Sequence, residues 1–360
     1  MPERNEPLAS VVALSDFESL AREKMDAGAF DYIAGGSWDE ISLHDNVAAW
    51  QRRRLRPRVL VDVSRVDPST TLLGRPVALP LAIAPMAVHG LAHHDGELAT
   101  ARAAGVAGVP YIHSTSSSRS IEEVATAAPE TTRWFQLYVQ EDAAITRSLV
   151  ERAAAAGYGA IVLTVDLPVL GSRERDRRTG YALPPFGNFE QVSATHGSRG
   201  VAAGAESTPD RIAALTWADL ATIRSWSGLP LVLKGILTAE DARLAVESGV
   251  DAIVVSNHGA RQLDRVPAPI DVLAEVVAAV GNGTEVWVDG GVRRGLDLAI
   301  AMALGARGVL LGRPVLWALA VGGQAGVERA IAIVREEFEL TLRLLGTPTP
   351  ADITRDHVAD

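Results

Sequence analysis

The sequence has no cysteine, which excludes disulfides, thiolate metal sites and cysteine nucleophiles together. Lysine is nearly as scarce. Of 34 basic residues only Lys24 and Lys234 are lysine, leaving 32 arginines, so each lysine asks for a reason why arginine would not serve. No stretch reaches the roughly 18 apolar residues of a membrane span. The first residues, MPERNEPLASVVALSDFESL, carry acids where a secretory signal would have a basic segment and then a long apolar one. The last residues, RDHVAD, are not the peroxisomal tripeptide. The cytoplasm is the expected compartment, and no membrane partner is expected. Positive charge is also in deficit: a formal net charge of −10 gives no attraction for phosphate backbones, so nucleic acid is not an expected partner.

What is present is core. Hydrophobic residues make up 48% of 360 and charged residues 22%, with no low-complexity tract, the balance of a globular chain. Short β-branched runs bounded by Gly, Pro or Asp predict strands at LAIAP (81–85), VPYIHS (109–114), WFQLYV (134–139) and AIVLTVD (160–166). Four more follow at PLVLKG (230–235), AIVVSN (252–257), EVWVDG (285–290) and GVLLGR (308–313). Ala-rich segments with acidic starts and Gly ends, such as GELATARAAGVAG and TAEDARLAVESG, predict helices between them. Eight such alternations predict a closed (β/α)8 TIM barrel, with a doubly wound open sheet as the rival. The expected layout is one domain over 1–360. An N-terminal extension (1–57) with its own helix (16–27) precedes a barrel over 58–345, and a long segment (175–209) follows strand four. That segment reads equally as a mobile active-site loop or as a surface insertion.

In a barrel the C-terminal strand ends converge on one mouth. The residues expected there are polar: Pro85 and Ala87, Ser114, Gln136, Tyr138, Thr164, Asp166, Arg173, Lys234, His258, Arg261, Asp289, Arg293, Gly312 and Arg313. The last two strands end in the Gly-rich turns VDGGVRRG and LLGRP, whose N–H groups can hold a phosphate, with Arg293 and Arg313 adding charge. Lys234 offers a compact ammonium suited to negative charge developing on a planar cofactor. His258, three residues before Arg261 and with Asp166 available from a neighbouring strand end, reads as a general base acting on an anionic substrate. His93, His94 and Asp95 mimic a metal site, but without further ligands none is assigned.

These residues resemble a known family. SNHGARQLD (256–264), with QLYV, LTVD, LKG, DGGVRRG and GRP in the same order, resembles the FMN-dependent 2-hydroxy acid oxidases and dehydrogenases: the glycolate, lactate and mandelate oxidase group. The likeness runs from FDYIAGG (30–36) through EEFELT (336–341). It implies FMN as cofactor and oxidation of a small (S)-2-hydroxy acid to the 2-oxo acid, by an oxidase or by a dehydrogenase with a non-oxygen acceptor, a small aliphatic (glycolate or lactate) oxidase being a further alternative. It also implies a homo-oligomer, a tetramer. Position by position, it implies that His258 is the base, Asp166 its carboxylate partner, Arg261 and Tyr32 the substrate carboxylate contacts, Arg173 a second substrate arginine and Tyr138 the neighbour of the substrate hydroxyl. For FMN it implies Pro85, Met86, Ala87, Ser114, Gln136, Thr164 and Ser256 around the ring and Lys234 facing its N1 and O2 side. Asp289, Gly291, Arg293, Gly312 and Arg313 would hold the ribityl and phosphate.

Two departures matter. Glycolate-type members have PTA where this chain has Pro85, Met86 and Ala87, and a tryptophan where Ser116 stands. A serine there predicts a wider pocket and a larger acid, mandelate-like rather than glycolate. Ala87 favours oxygen over another acceptor. Whether the base takes the hydroxyl proton or the α-proton stays open, as do an FMN-dependent isomerase and a non-catalytic phosphate-ligand barrel.

Overall fold

The structure, a computed structural model, describes residues 6–189, 214–281 and 283–359. Eight parallel strands close a barrel: β1 Leu81–Ile83, β2 Tyr111–Ser114, β3 Arg133–Leu137, β4 Ile161–Thr164, β5 Leu231–Ile236, β6 Ala252–Val255, β7 Glu285–Val288 and β8 Gly308–Leu311. The ring shuts where Val309 of β8 pairs with Leu81 of β1. Each strand lies within a segment expected to be one, give or take a residue at its ends.

Alternate residues of every strand point inward. Ala82, Ile112, Trp134, Val162, Val232, Val254, Trp287 and Leu310 fill the interior, and the Trp134 and Trp287 rings stack at 4.9 Å and 9°. The intervening residues, such as Leu81, Phe135, Leu163, Leu233 and Ile253, pack outward against the helices. An antiparallel hairpin, Thr70–Leu72 with Arg75–Val77, adds Leu72 and Val77 to the interior cluster.

The N-terminal extension departs from expectation. Instead of one helix over 16–27 it holds α1 Leu14–Lys24, α2 Ala27–Ala34 and α3 Ile41–Arg52. The reason lies at Asp26, whose carboxylate accepts from the N–H groups of Gly28 and Ala29 at 2.9 and 3.1 Å. It thereby ends the first helix by capping the second. Behind the barrel helices runs α4, Arg313–Leu345, interrupted by non-helical backbone at Gly322 and Gly323. Lys24 donates to the Val321 carbonyl at that break, 2.6 Å away. A compact point donor fits there, which accounts for one of the two lysines.

Of the segment expected over 175–209, residues 175–189 are described and 190–209 lie outside the described residues. The described part begins with a short helix, Glu174–Thr179. Arg175 ties this helix to Glu40 and Asp31 of the extension at 2.5 and 3.5 Å.

Candidate active site

A cleft of about 1290 Å³, counted out to its open mouth, lies at the C-terminal ends of the strands. Its wall contains Tyr32, Pro85, Met86, Ala87, Ser114, Tyr138, Thr164, Arg173, Lys234, His258, Arg261, Asp289, Gly291, Arg293, Gly312 and Arg313. Three expected site residues, Asp166, Gln136 and Ser256, stand directly behind this wall and orient it. His93, His94 and Asp95 do come together, with ligand atoms within 4.8 Å of one another. They lie outside the cleft wall.

The floor of the cleft is the polar layer two residues above the tryptophans. Gln136 donates to Thr164 Oγ1 at 3.0 Å and accepts from the Ser114 hydroxyl at 3.1 Å and the Thr115 N–H at 3.2 Å. Lys234 pairs with Asp289 at 3.0 Å and donates to Ser256 Oγ at 2.9 Å. Burial opposes the ammonium charge, but Asp289 and Asp166 outweigh it and hold the pKa above its ordinary value.

His258 sits in a strained turn. His258, Gly259 and Ala260 all have positive φ, at 58°, 62° and 61°, a conformation costing about 1–2 kcal/mol for each non-glycine residue. Asn257 holds the turn through a reciprocal amide pair with Asn46 of α3, at 2.9 and 2.7 Å. His258 Nδ1 meets Asp166 Oδ1 at 2.8 Å, and Tyr138 OH lies 3.3 Å from Nε2. An Nδ1–H donating to the carboxylate leaves the Nε2 lone pair for the cleft. Burial pulls the His258 pKa below its ordinary value, against the opposing pull of Asp166, with Lys234 and Arg173 adding to the depression. Asp166 stays ionised: burial would raise its pKa, but His258 and Lys234 bring it below the ordinary value. Gly235 makes the close approach possible. Its φ is 120°, the β5 ladder is irregular there, and a Cβ would stand 2.5 Å from that of Asp166.

Both arginines near the turn lean on the C-terminal end of α2. Arg261 donates to the carbonyls of Tyr32 and Gly35 at 2.6 and 3.1 Å, with its guanidinium 4.8 Å from the Tyr32 ring centre. Arg313 donates to Ile33 and Gly35, and also to Gly259, at 2.9, 2.8 and 2.8 Å. The unsatisfied carbonyls of a helix end suit cations. The cleft wall nonetheless carries five cationic side chains, Arg173, Lys234, Arg261, Arg293 and Arg313, against the single carboxylate of Asp289. Burial, with Arg261 and Arg293 nearby, pushes the Arg313 pKa down to about 9. Such an excess of buried positive charge is stabilised by anions. Asp289 supplies the opposite need, because its buried Oδ1 has no hydrogen-bond partner and can accept from a ligand hydroxyl.

A barrel mouth that joins an anion-binding end, an orphaned acceptor, a buried ammonium and a neutral histidine beside an arginine belongs to a mononucleotide-dependent oxidoreductase of carboxylate substrates. Comparison with known proteins gives the family. The model of FMN-dependent dehydrogenases matches residues 21–360. The chain is 50% identical over 355 residues to an L-lactate oxidase of Nostoc sp., covering 96% of this chain and 97% of that one. It is 46% identical to glycolate oxidase 1 of rice, with 98% and 96% covered. A solved structure of mandelate oxidase superposes with a TM-score of 0.87 at 44% identity, covering 97% of this chain and 98% of that one. The chain belongs to the FMN-dependent dehydrogenase family, as a flavoprotein of the 2-hydroxy acid oxidase group with FMN as its cofactor. The residues present fit that cofactor: Arg293 and Arg313 would offer charge to a phosphate, Asp289 Oδ1 would accept from a ribityl hydroxyl, and Lys234 stands at the floor.

Several groups in or around the cleft carry no sequence signal of their own. Phe186, Phe189, Leu167 and Gln140 line it, and Asn46 braces the base from outside. The pattern PPFGNFE shows turn residues and aromatics, but nothing in it points inward. The position of Ser116 in the wall, by contrast, was legible.

Proposed function

We propose that the protein oxidises an (S)-2-hydroxy acid with a flat apolar side chain, mandelate-like, to the 2-oxo acid and returns the electrons to O2 as H2O2. The supporting observation is the composition of one wall, where the small Ser116 lines the cleft together with Met86, Leu167, Phe186 and Phe189. Relatives named for lactate, glycolate and mandelate do not distinguish these acids, and the small side chain at position 116 supports the larger one.

The oxidation removes two electrons and two protons from a CH–OH group beside a carboxylate. Arg261, with Tyr32 and Arg173, clamps the carboxylate, which fixes the reacting carbon. His258 Nε2, neutral because its pKa is depressed, accepts a proton from the CH–OH group. Asp166 on Nδ1 then stabilises the imidazolium. Tyr138 lies within reach of the same nitrogen and hydrogen-bonds the substrate oxygen. FMN supplies the two-electron acceptor, and Lys234 supplies fixed positive charge where negative charge develops.

The test is an anaerobic titration of the yellow protein with (S)-mandelate, then with glycolate, followed in each case by air. Bleaching by mandelate and recovery in air are expected. Equal or better turnover of glycolate would reject the side-chain assignment, and a bleached flavin that stays bleached in air would indicate a dehydrogenase with another acceptor.

We also propose that the chain assembles with copies of itself. Val59, Leu60 and Val61 are exposed at 82, 103 and 40%, and Leu340 and Leu344 of α4 at 55 and 69%. The two groups adjoin, since Arg58 bonds to Leu345 and Arg343 to Val63. Such a contiguous apolar patch is usual for an interface. Sedimentation of Leu60→Asp against the unaltered protein tests it: an unchanged particle mass would remove this patch from the interface.

A further inference from the structure

The loop after β2, residues 114–120, brings Ser114, Thr115 and Ser116 to the cleft, and groups distant in sequence hold it from two sides. Glu97, fully buried, accepts on Oε1 from the N–H of His89 at 3.0 Å and of Ser118 at 2.8 Å. It thus joins this loop to the one after β1. On the other side stands Asn188, also fully buried. Its Nδ2 donates to the carbonyls of Ser114 and Thr115 at 3.1 and 3.0 Å and to Ser117 Oγ at 3.0 Å, while its Oδ1 accepts from the Ile121 N–H at 2.9 Å. Both ends of one amide are thus committed to this loop and to the first residue of the helix that follows it.

Three further contacts tighten the junction. The Asn188 carbonyl accepts from Arg152 at 2.8 Å, and Arg152 grips Glu122 with two further bonds of 2.8 Å each. The Gly187 N–H donates to the Ser117 carbonyl at 2.9 Å. A Cβ at Gly187 would stand 2.7 Å from Ser118 O and 2.9 Å from the Arg119 carbonyl carbon, so only glycine lets the two backbones approach this closely. The residues on either side of this junction are Phe186 and Phe189, each about 5% exposed, with ring centres 6.3 Å apart, and both line the cleft.

We infer that Asn188 is a positioning residue for substrate selection: it locks the Phe186–Phe189 turn onto the loop after β2, so that two rings and Ser116 form a fixed wall that favours acids with a flat apolar side chain. The inference rests on the assignment of the cleft to 2-hydroxy acids and deepens it. A surface insertion would not need a fully buried amide whose side chain bonds only to the loop after β2 and the helix start behind it, since burying a polar group is costly unless it is hydrogen-bonded. These bonds hold the turn that carries the rings.

The experiment uses the FMN-loaded protein and two non-reacting probes, phenylacetate and acetate, each titrated by the change in the visible flavin spectrum. In Asn188→Ala the ratio of the phenylacetate to the acetate dissociation constant is expected to rise about tenfold, the scale set by loss of apolar pocket contacts. The double variant Phe186→Leu, Phe189→Leu is expected to move the ratio the same way, and it keeps the inference testable if Asn188→Ala does not yield folded yellow protein. A ratio that stays at the wild-type value in either variant, whether or not both constants weaken together, overturns it. Failure of the mandelate reading shows elsewhere, in wild-type turnover of mandelate against glycolate, because the probe ratio compares variants with wild type only.

Discussion

Two layers of the barrel interior, one above the other on the same strands, are built to opposite rules. In the lower layer Trp134 and Trp287 stack among Val162, Val232 and Leu310, and the indole N–H of Trp287 is satisfied by Glu285 at 3.0 Å. In the upper layer, two residues further along, stand Gln136, Thr164, Lys234 and Asp289, joined by hydrogen bonds and an ion pair and fully or nearly fully buried. The lower layer gains free energy from burial. The upper one gives up some of that gain to hold charge in place, as expected where a protein departs from stable packing to make a site.

Breaking the upper layer at its reacting end has the largest expected effect. His258→Asn removes the base and should lower the rate of anaerobic flavin bleaching by roughly 10²–10⁴-fold, with the flavin still bound; bleaching within a factor of two of wild type would show that the proton goes elsewhere. In the lower layer Trp287→Ala should cost about 3–5 kcal/mol of stability by leaving a cavity, read from urea unfolding of the apoprotein.

The comparison sharpens with Lys234. Lys234→Met strands Asp289 and should destabilise the apoprotein by about 3–5 kcal/mol, whereas the pair Lys234→Met, Asp289→Leu turns this part of the upper layer apolar and should restore most of that loss. FMN binding should still fail in the double variant, and a double variant that keeps its yellow colour would count against the assignment of this pair to the cofactor. Arg313→Met should weaken FMN by about 10–100-fold, the worth of lost charge-assisted bonds at about 1.5–3 kcal/mol, measured by flavin fluorescence titration.

The smallest effect is the dependence on pH. The proposed base would work as neutral imidazole, and burial sets the His258 pKa below its ordinary value of 6.5. Protonation therefore removes activity as pH falls through that depressed value, and kcat/KM should be level just above pH 6.5. A fall in kcat/KM that begins above 6.5 on acidification would mean that the net environment of His258 favours the cation.

The barrel was legible because its signals are local. Each strand is a short apolar run, most of them with a polar residue at the mouth end, and the helices between them carry local stop and start signals. The residues of the upper layer were legible for the same reason, being the last inward positions of their strands. The extension was misread because Asp26 looks like one more polar residue of a single helix until its carboxylate is seen capping the next. Asn46, Glu97 and Asn188 left no trace, since each acts on at least one group twenty or more residues away, and no spacing encodes such a contact. Phe186 and Phe189 were hidden for a related reason, as their direction is set by the junction at Gly187 and Asn188.

The Gly35 carbonyl accepts from Arg261 and from Arg313 at once, so the two anion-binding ends of the cleft share one acceptor. An anion that draws either guanidinium away from it leaves that lone pair to the other. By linkage the effect is mutual: whatever the phosphate end does to the affinity for a carboxylate, a bound carboxylate does to the phosphate end by the same factor. On the proposed assignment of Arg313 to the cofactor phosphate and Arg261 to the substrate carboxylate, the two groups would be joined through a single oxygen atom at the end of α2.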